Sequence, residues 1–200
     1  MFVMLIANLL GFLLFFFLFW KRLKEDYHYE KIFNLGFVVI FGLITGLIIS
    51  RFIFQSYWYW ISTISVLVFY FIYISRQKIK FFESFEVLII SFLPWVSLFF
   101  LTDSVQKSSL SSFLLFWVTL IAIFIFFLVN SQYRKFTWYK SGRVGLAGLS
   151  ACLFYYISRI IIFLIYPQST SLVPLYEIYF SSTFTLVIFL LTYKLFISKE

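Results

Sequence analysis

The sequence predicts an all-α integral membrane protein with seven transmembrane helices, and two observations lead to this prediction. First, 63% of the 200 residues are hydrophobic and only 12% are charged, whereas about 25% of residues are charged in an ordinary soluble domain. Second, the apolar residues form unbroken runs of the length that an α-helix needs to cross a bilayer. This pattern excludes a soluble globular domain, a disordered chain and a β-barrel, whose strands alternate polar and apolar residues.

Seven runs are long enough to span a membrane, and we expect them to form a single domain over residues 1–200. The first run has no basic segment before it and no cleavage site of small residues after it, so we expect a retained span rather than a signal peptide. Ser, Thr and aromatic residues lower the hydropathy of the third and fourth runs. The predicted spans are residues 2–20, 33–54, 57–75, 84–102, 110–130, 144–166 and 175–197.

Local features accompany several of these spans. In the second span, Gly42 and Gly46 form a pair of small residues that lets another helix approach closely. The third span begins at the aromatic residues 57–60 (YWYW), which are typical of the membrane–water interface. Glu83 and Glu86 begin the fourth span, where acids suit the helix N-terminus, and we expect them to balance the charge of the basic loop before them.

The basic residues are distributed unevenly between the two sides of the predicted membrane domain. All but three of the 16 lysine and arginine residues follow or end spans one, three, five and seven, and the exceptions are Arg51, Lys107 and Arg159. By the positive-inside rule, the N-terminus lies outside and the C-terminus is cytoplasmic, as an odd number of spans requires. The net charge of +8 is therefore an orientation signal with some attraction to anionic lipids, and we expect no nucleic-acid partner.

The sequence offers little for metal, redox or proton-transfer chemistry. Its one cysteine, Cys152, lies in an apolar run, and its one histidine, His28, lies in a loop. We therefore expect no metal site and no cofactor. Acidic and histidine side chains are not strung along several spans, which disfavours a channel or a proton-coupled transporter.

Arg159 is the most unusual polar residue, because a charged side chain inside a span is costly and is therefore a candidate functional group. It lies about two-thirds of the way through the sixth span, without an acidic neighbour in the same helix. Two interpretations remain open. Arg159 either extends its side chain to the outer interface or binds a lipid phosphate with its planar set of donors.

Three further charged residues lie toward the same side as Arg159. Arg51 ends the second span, Asp103 ends the fourth span and Glu177 begins the seventh. One hypothesis is that the four residues form a small charge cluster in the outer leaflet. The favoured alternative is that Arg51 is an interfacial anchor and that Asp103 and Glu177 are solvated loop charges.

Two sets of motifs suggest a family. Residues 21–24 (KRLK), 29–35 (YEKIFNL) and 42–46 (GLITG) are followed by Arg51. They are similar, in order, to the basic loop, the start of the second span and the Gly-rich stretch with an Arg in bacterial prolipoprotein diacylglyceryl transferases. The resemblance covers most of the chain.

The second set of motifs lies further along the sequence. Residues 76–82 (RQKIKFF) lead into a span with Glu86 near its start, where this family usually has Asp. Residues 140–146 (KSGRVGL), followed by Tyr155 and Arg159, are similar to the family's Gly-x-x-x-Gly-Leu and Tyr-Gly-x-x-Arg segments. Seven spans with an outside N-terminus are also the topology of that family.

The resemblance implies an enzyme of the bacterial inner membrane that transfers a diacylglyceryl group from phosphatidylglycerol to the lipobox cysteine of a preprolipoprotein. Such chemistry needs a base for the thiol and donors for the departing glycerol phosphate. The resemblance assigns a catalytic role to Arg159 and substrate-binding roles to Arg51 and Tyr155. Asp103 and Glu177 join the substrate-binding candidates through the charge cluster described above.

The departures from the family fall on its active site. Residues 60–65 (WISTIS) stand where the family has His-Gly-Gly, and residues 95–106 (WVSLFFLTDSVQ) stand where it has Gly-Arg-x-Gly-Asn-Phe-x-Asn-Gly-Glu. Phe163 and Tyr166 replace the Glu and the second Arg of the sixth span, and the short segment 104–109 replaces the periplasmic head. The sequence shows no substitute groups for those that are missing.

Two hypotheses from different classes follow. The chain is either a divergent lipoprotein-modifying transferase or a non-catalytic relative that binds a lipid or a membrane partner without turnover. The missing signature residues favour loss of activity. Phosphatidylglycerol is the expected lipid partner, and a preprolipoprotein is a partner only under the first hypothesis.

Overall fold

The computed structural model describes residues 2–53, 55–132, 145–166 and 176–197. These residues form seven α-helices and one 3-10 turn, Gln55–Tyr57, and contain no strand. All seven helices are long and apolar enough to cross a membrane, which confirms the predicted fold class of a multi-pass helical membrane protein. The helices are α1 (Phe2–Leu23), α2 (Tyr29–Phe52), α3 (Trp58–Gln77), α4 (Phe81–Lys107), α5 (Leu110–Gln132), α6 (Leu146–Ile165) and α7 (Glu177–Ile197).

Several helices are longer than the spans predicted from hydropathy. α1 continues through the basic residues after position 20, α2 begins four residues early at Tyr29, and α4 continues to Lys107. Hydropathy marks only the apolar part of a helix, whereas backbone hydrogen bonding continues through polar residues at its ends. The predicted limits at residues 54, 144 and 175 lie outside the described part of the chain.

Four pairs of consecutive helices pack along each other, namely α2–α3, α4–α5, α5–α6 and α6–α7, whereas α1 packs mainly along α4. Trp95 Nε1 of α4 donates a hydrogen bond to Asn8 Oδ1 of α1 at 3.1 Å. α4 is the most enclosed of the seven helices and α7 is the least enclosed.

The two ends of the bundle differ in their content of basic residues. One end, called the basic end below, contains the turns after α1 and α3 and the last turn of α7. The other, called the opposite end, contains the turns after α2 and α4, the last turns of α6 and the start of α7. The described basic residues at the basic end are Lys21, Arg22, Lys24, Lys31, Arg76, Lys78, Lys80 and Lys194. Arg134, Lys135, Lys140, Arg143 and Lys199 lie outside the described residues.

The small residues of α2 face α3, as the sequence predicts. A Cβ atom on Gly42 would lie 3.1 Å from the Cα atom of Val66, and one on Gly46 would lie 2.5 Å from the Cα atom of Ser62. Both neighbours are backbone atoms, which do not yield as a flexible side chain does. The glycines therefore allow the close approach of α2 and α3, and the prediction for this pair is confirmed.

Candidate functional site

The candidate site is centred on Arg159, whose side chain is fully buried at the opposite end of the bundle. The buried face of α6 also carries Tyr155, Tyr156, Ile162 and Phe163, at the spacing of one helical face. Arg159 thus points into the bundle. The interpretation that it extends to the outer interface is wrong, because a partner inside the protein compensates its charge.

That partner is Glu177, the first residue of α7, which is also fully buried. Its Oε1 atom accepts hydrogen bonds from Arg159 Nε and, at 2.8 Å, from Ser181 Oγ. Its Oε2 atom accepts a hydrogen bond from Trp60 Nε1 at 2.7 Å. The expectation of a solvated loop charge is therefore wrong for Glu177, since α7 begins against α6 and α3 and places this carboxylate in the interior.

Aromatic side chains form the wall around the Arg159 guanidinium. Its Cζ atom lies 3.8 Å from the ring centroid of Tyr59, 5.4 Å from that of Trp60 and 5.9 Å from that of Tyr155. Cations are attracted to the faces of such rings, and more strongly where water is excluded. Tyr59 is the partly exposed member of this wall, so its ring lies between the guanidinium and the outside of the helix bundle.

The aromatic residues are held in place by one another. Arg159 Nη1 donates a hydrogen bond to the Tyr155 hydroxyl at 2.9 Å, and that hydroxyl lies 3.2 Å from the hydroxyl of Tyr59. The Trp60 ring is stacked with Phe180 at 5.1 Å and with Tyr156 at 6.0 Å between centroids. Tyr59 and Trp60, which the sequence assigns to the membrane interface, both contact the site.

One nitrogen of the Arg159 guanidinium remains without a partner among the described residues. The guanidinium has donors on Nε, Nη1 and Nη2; Glu177 engages the first and Tyr155 the second. Nη2 is buried and has no hydrogen-bond acceptor among the described residues. Since buried donors are nearly always paired, Nη2 marks the place where an oxygen atom of a ligand would be bound most favourably.

The electrostatics of the site follow from the pairing of Arg159 and Glu177. The two side chains together carry no net charge, and Glu177 accepts three hydrogen bonds. Both oxygens of its carboxylate are thus already engaged by donors of the protein. Glu177 is therefore placed to orient Arg159, and neither oxygen is left without a donor for contact with a substrate.

Asp103 belongs to a different group of side chains, near the turn between α4 and α5. Its Oδ1 atom pairs with Lys107 Nζ at 2.6 Å, and its Oδ2 atom accepts a hydrogen bond from Ser112 Oγ at 2.5 Å. Asp103 is buried, so the expectation of a solvated loop charge is wrong here as well. The helical spacing of Asp103 and Lys107 explains the pair.

The hypothesis of a four-residue charge cluster is therefore only partly right. The structure brings Arg159 and Glu177 into contact and adds Tyr155, whereas Asp103 is bonded to residues of α4 and α5. Arg51 is exposed in the last turn of α2. Its exposure fits the interfacial anchor that the sequence favours.

Sequence reasoning missed three residues of the site, namely Tyr59, Trp60 and Ser181. A weak signal exists for Ser181, which lies four residues after Glu177 and therefore on the same face of α7. For the two aromatic residues no local signal exists, because the sequence does not reveal that the first turn of α3 meets α6 and α7.

A second polar group lies at the basic end, where the turn after α1 meets the start of α4. The Tyr27 hydroxyl donates to Glu83 Oε2 at 3.1 Å and accepts from the backbone N–H of Lys80 at 3.1 Å, and Lys80 Nζ pairs with Glu83 Oε1 at 3.0 Å. Burial raises the pKa of Tyr27 above its usual value. The pairing of Glu83 with Lys80 fits the predicted charge balance.

Glu86, the second of these acids, is buried against α6. A Cβ atom on Gly148 would lie 2.8 Å from the Cα atom of Glu86. Glu86 also takes part in a polar interaction. The motif at residues 140–144, which contributes to the family resemblance, lies outside the described residues.

The remaining candidates for metal or nucleophilic chemistry are separate from one another. His28 is exposed at the start of α2 beside the Tyr29 ring, and Cys152 is a free cysteine on α6. Within the described ranges, no three His, Cys, Asp or Glu side chains lie together as metal ligands would.

Comparisons of this chain with known protein families, with curated proteins and with solved structures found no match.

Proposed function

We propose that this chain is a multi-pass protein of the bacterial inner membrane that binds a phospholipid, phosphatidylglycerol in the first place, at Arg159. In this proposal the chain shares the fold of the prolipoprotein diacylglyceryl transferases but does not catalyse their reaction. The single observation that supports lipid binding most strongly is the buried Nη2 donor of Arg159 without an acceptor. A lipid phosphate or ester oxygen would supply the missing acceptor.

The position of Arg159 within α6 is consistent with a lipid ligand. It lies six residues before the end of the helix at Ile165, which corresponds to about 9 Å along the helix axis. That depth is near the boundary between lipid headgroups and acyl chains if α6 ends at the membrane surface. Exposed apolar side chains such as Ile157, Ile161 and Leu164 on α6 would contact the acyl chains.

The absence of turnover is supported by what occupies the positions of the family's catalytic groups. Residues 95–106 lie within α4, which continues without interruption to Lys107. Trp60, at the position of the family's His-Gly-Gly segment, donates to Glu177 and is enclosed by aromatic rings. Neither segment offers a base within reach of Arg159, and Glu177 is already engaged by three donors.

A second candidate function, surviving diacylglyceryl transfer, is favoured by one specific observation. The family has a Glu one helical turn after its sixth-span Arg, and here Phe163 stands in that place. Glu177 of α7 nevertheless supplies a carboxylate against Arg159. An acid can thus be lost from one helix and provided by another.

Orientation and localisation also belong to this proposal. The basic end would face the cytoplasm, because most lysine and arginine residues lie there and cytoplasmic loops are enriched in them. Arg159 and Glu177 would then lie toward the outer leaflet. Labelling of single cysteines introduced at Lys78 and at Ser108, in a Cys152→Ser background, would decide this with a reagent that does not cross membranes.

The proposal is tested by lipid binding to purified protein in nanodiscs. We expect Arg159→Leu to lower the affinity for phosphatidylglycerol by about tenfold or more, as loss of a charge-assisted hydrogen bond requires. Lys107→Leu removes a cation at the same end of the bundle and is the matched control, with unchanged affinity. If Arg159→Leu does not fold, the double variant Arg159→Leu/Glu177→Leu removes the pair without leaving a single buried charge. Unchanged binding in a folded variant would remove the idea.

The second candidate is tested by turnover. The protein is reconstituted in phosphatidylglycerol bilayers with a lipobox peptide, and release of glycerol phosphate is followed beside an active member of the family. We expect no release. Release that depends on the peptide cysteine would instead establish a transferase.

A further inference from the structure

We propose that Glu177 determines the charge class of the lipid that this site binds, favouring a phosphodiester over a phosphomonoester. The inference rests on the proposed function, since it concerns the same site. It assigns to Glu177 a role in specificity rather than in chemistry. The phosphodiester class is represented by phosphatidylglycerol, which carries one negative charge. The phosphomonoester class is represented by phosphatidic acid, which carries up to two.

The first step of the argument is the number of donors. An Arg that recognises a phosphate bidentately uses two parallel N–H groups on neighbouring nitrogens. An arginine carries five N–H groups. Here Glu177 engages the one on Nε and Tyr155 engages one on Nη1, and Nη2 is the nitrogen left without an acceptor among the described side chains. Fewer donors therefore remain for the three terminal oxygens of a phosphomonoester than a free guanidinium would offer.

The second step concerns charge. Glu177 and Arg159 are both fully buried, so the positive charge is neutralised where the dielectric constant is low. An anion bound at Nη2 is attracted by Arg159 and repelled by Glu177. Both interactions grow with the charge of the ligand and oppose each other, so the second charge of a dianion gains little attraction to offset the cost of its desolvation. Glu177 therefore disfavours a dianion relative to a monoanion.

The third step concerns the other groups that face the guanidinium. The contacts come from Tyr59 and Trp60 of α3, from Tyr155 of α6 and from Glu177 of α7. Among the residues that the structure describes, none of these neighbours is a second cation. A second negative charge on the ligand would thus find no compensating group in this wall.

The unmodified protein provides the first test. Binding of phosphatidylglycerol and of phosphatidic acid to nanodisc-embedded protein is measured between about pH 5 and pH 8, across the second ionisation of a phosphomonoester near pH 6. We expect the affinity for phosphatidic acid to fall as the pH rises and that for phosphatidylglycerol to stay constant. Equal or tighter binding of phosphatidic acid at the upper pH would overturn the inference.

The second test uses Glu177→Gln, which keeps the side-chain length and one oxygen acceptor but removes the charge. We expect the affinity ratio of phosphatidic acid to phosphatidylglycerol at pH 8 to rise by about tenfold or more, as a buried like-charge repulsion of this range implies. Glu83→Gln, which removes a carboxylate charge at the basic end of the bundle, is the matched control and leaves the ratio unchanged.

The outcomes separate this inference from the proposed function. Phosphatidylglycerol binding with an unchanged ratio in Glu177→Gln would overturn the role of Glu177 and leave lipid binding in place. Binding of neither lipid by the unmodified protein would overturn the proposed function and the inference with it. If Glu177→Gln fails to fold, the pH series on the unmodified protein decides alone.

Discussion

The ion pairs Lys80–Glu83 and Arg159–Glu177 join similar groups in opposite surroundings. In the first pair, 76% of the Lys80 side chain and 13% of the Glu83 side chain are exposed, whereas both side chains of the second pair are fully buried. The first pair joins neighbours on the first turn of one helix, and the second joins α6 to α7. An exposed pair contributes little because water and salt screen it. A buried pair cannot lose one partner without leaving an isolated charge.

The largest expected effect on stability comes from removing only one partner of the buried pair. Glu177→Leu leaves Arg159 buried without its counter-charge, and we expect the free energy of unfolding to fall by about 3–5 kcal/mol. The double variant Arg159→Leu/Glu177→Leu should recover most of this loss, because no charge then remains unpaired. Unfolding in mixed detergent micelles measures both. An equally large loss in the double variant would show that packing, not charge, dominates at this site.

A smaller effect is expected from removing one hydrogen bond to the same pair. Trp60→Phe keeps an aromatic ring between Phe180 and Tyr156 but removes the Nε1 donor to Glu177. We expect a loss of about 1–3 kcal/mol, as for a buried hydrogen bond to a charged group. Trp95→Phe removes the partly buried bond to Asn8 and serves as comparison. The same unfolding titration should show a smaller change for it, and the reverse order would contradict the importance of burial.

The pair of Asp103 and Lys107 is intermediate, since 48% of the lysine and 6% of the aspartate side chain are exposed. Ser112→Ala removes one of the two described partners of Asp103 and keeps the other. We therefore expect a loss of about 1 kcal/mol. Thermal unfolding in detergent, compared with Ser131→Ala on the exposed end of α5, measures it. A loss as large as that of Trp60→Phe would contradict the expectation that the loss of stability increases with the burial of the ion pair.

The smallest effect is expected at Lys80, whose pKa is raised above its usual value of 10.5 by the hydrogen bond and the charge of Glu83. A raised pKa means that the stabilisation is complete below the usual pKa and disappears as the pH rises through the folded value. Stability should thus decline only above about pH 10.5 for this group. Lys80→Gln should be unchanged at neutral pH and should lack this part of the decline. A clear loss at neutral pH in high salt would contradict the screening argument.

The same contrast explains how much could be predicted from the sequence. The seven helices follow from unbroken apolar runs, and the close approach of another helix to α2 follows from Gly42 and Gly46, because length and residue size act locally. The spacing of Lys80 and Glu83 is likewise visible in the sequence. These features need no knowledge of which helices become neighbours.

The candidate site depends on that knowledge. Arg159 could be singled out as a charge within a span, but the sequence could not show that Glu177 compensates it from another helix. Trp60 and Tyr59 read as interfacial aromatics, because nothing in their local sequence indicates that α3 meets α6 and α7 there. Glu177 reads as a loop charge for the same reason. Asp103 does so because the predicted fourth span ends at residue 102, whereas α4 continues to Lys107.

The pairing of Arg159 with Glu177 also has a consequence for the order in which the chain is assembled in the membrane. α6 is synthesised before α7, so Arg159 enters the translocon before its counter-charge exists. An unpaired Arg near the middle of a span costs about 2.5–3.5 kcal/mol for insertion, and placement nearer one end lowers this cost. α6 would therefore become firmly settled in the bilayer only after Glu177 arrives. The last two helices would then insert as one unit, and a ribosome stalled before α7 would hold a sixth helix that still exchanges with the translocon.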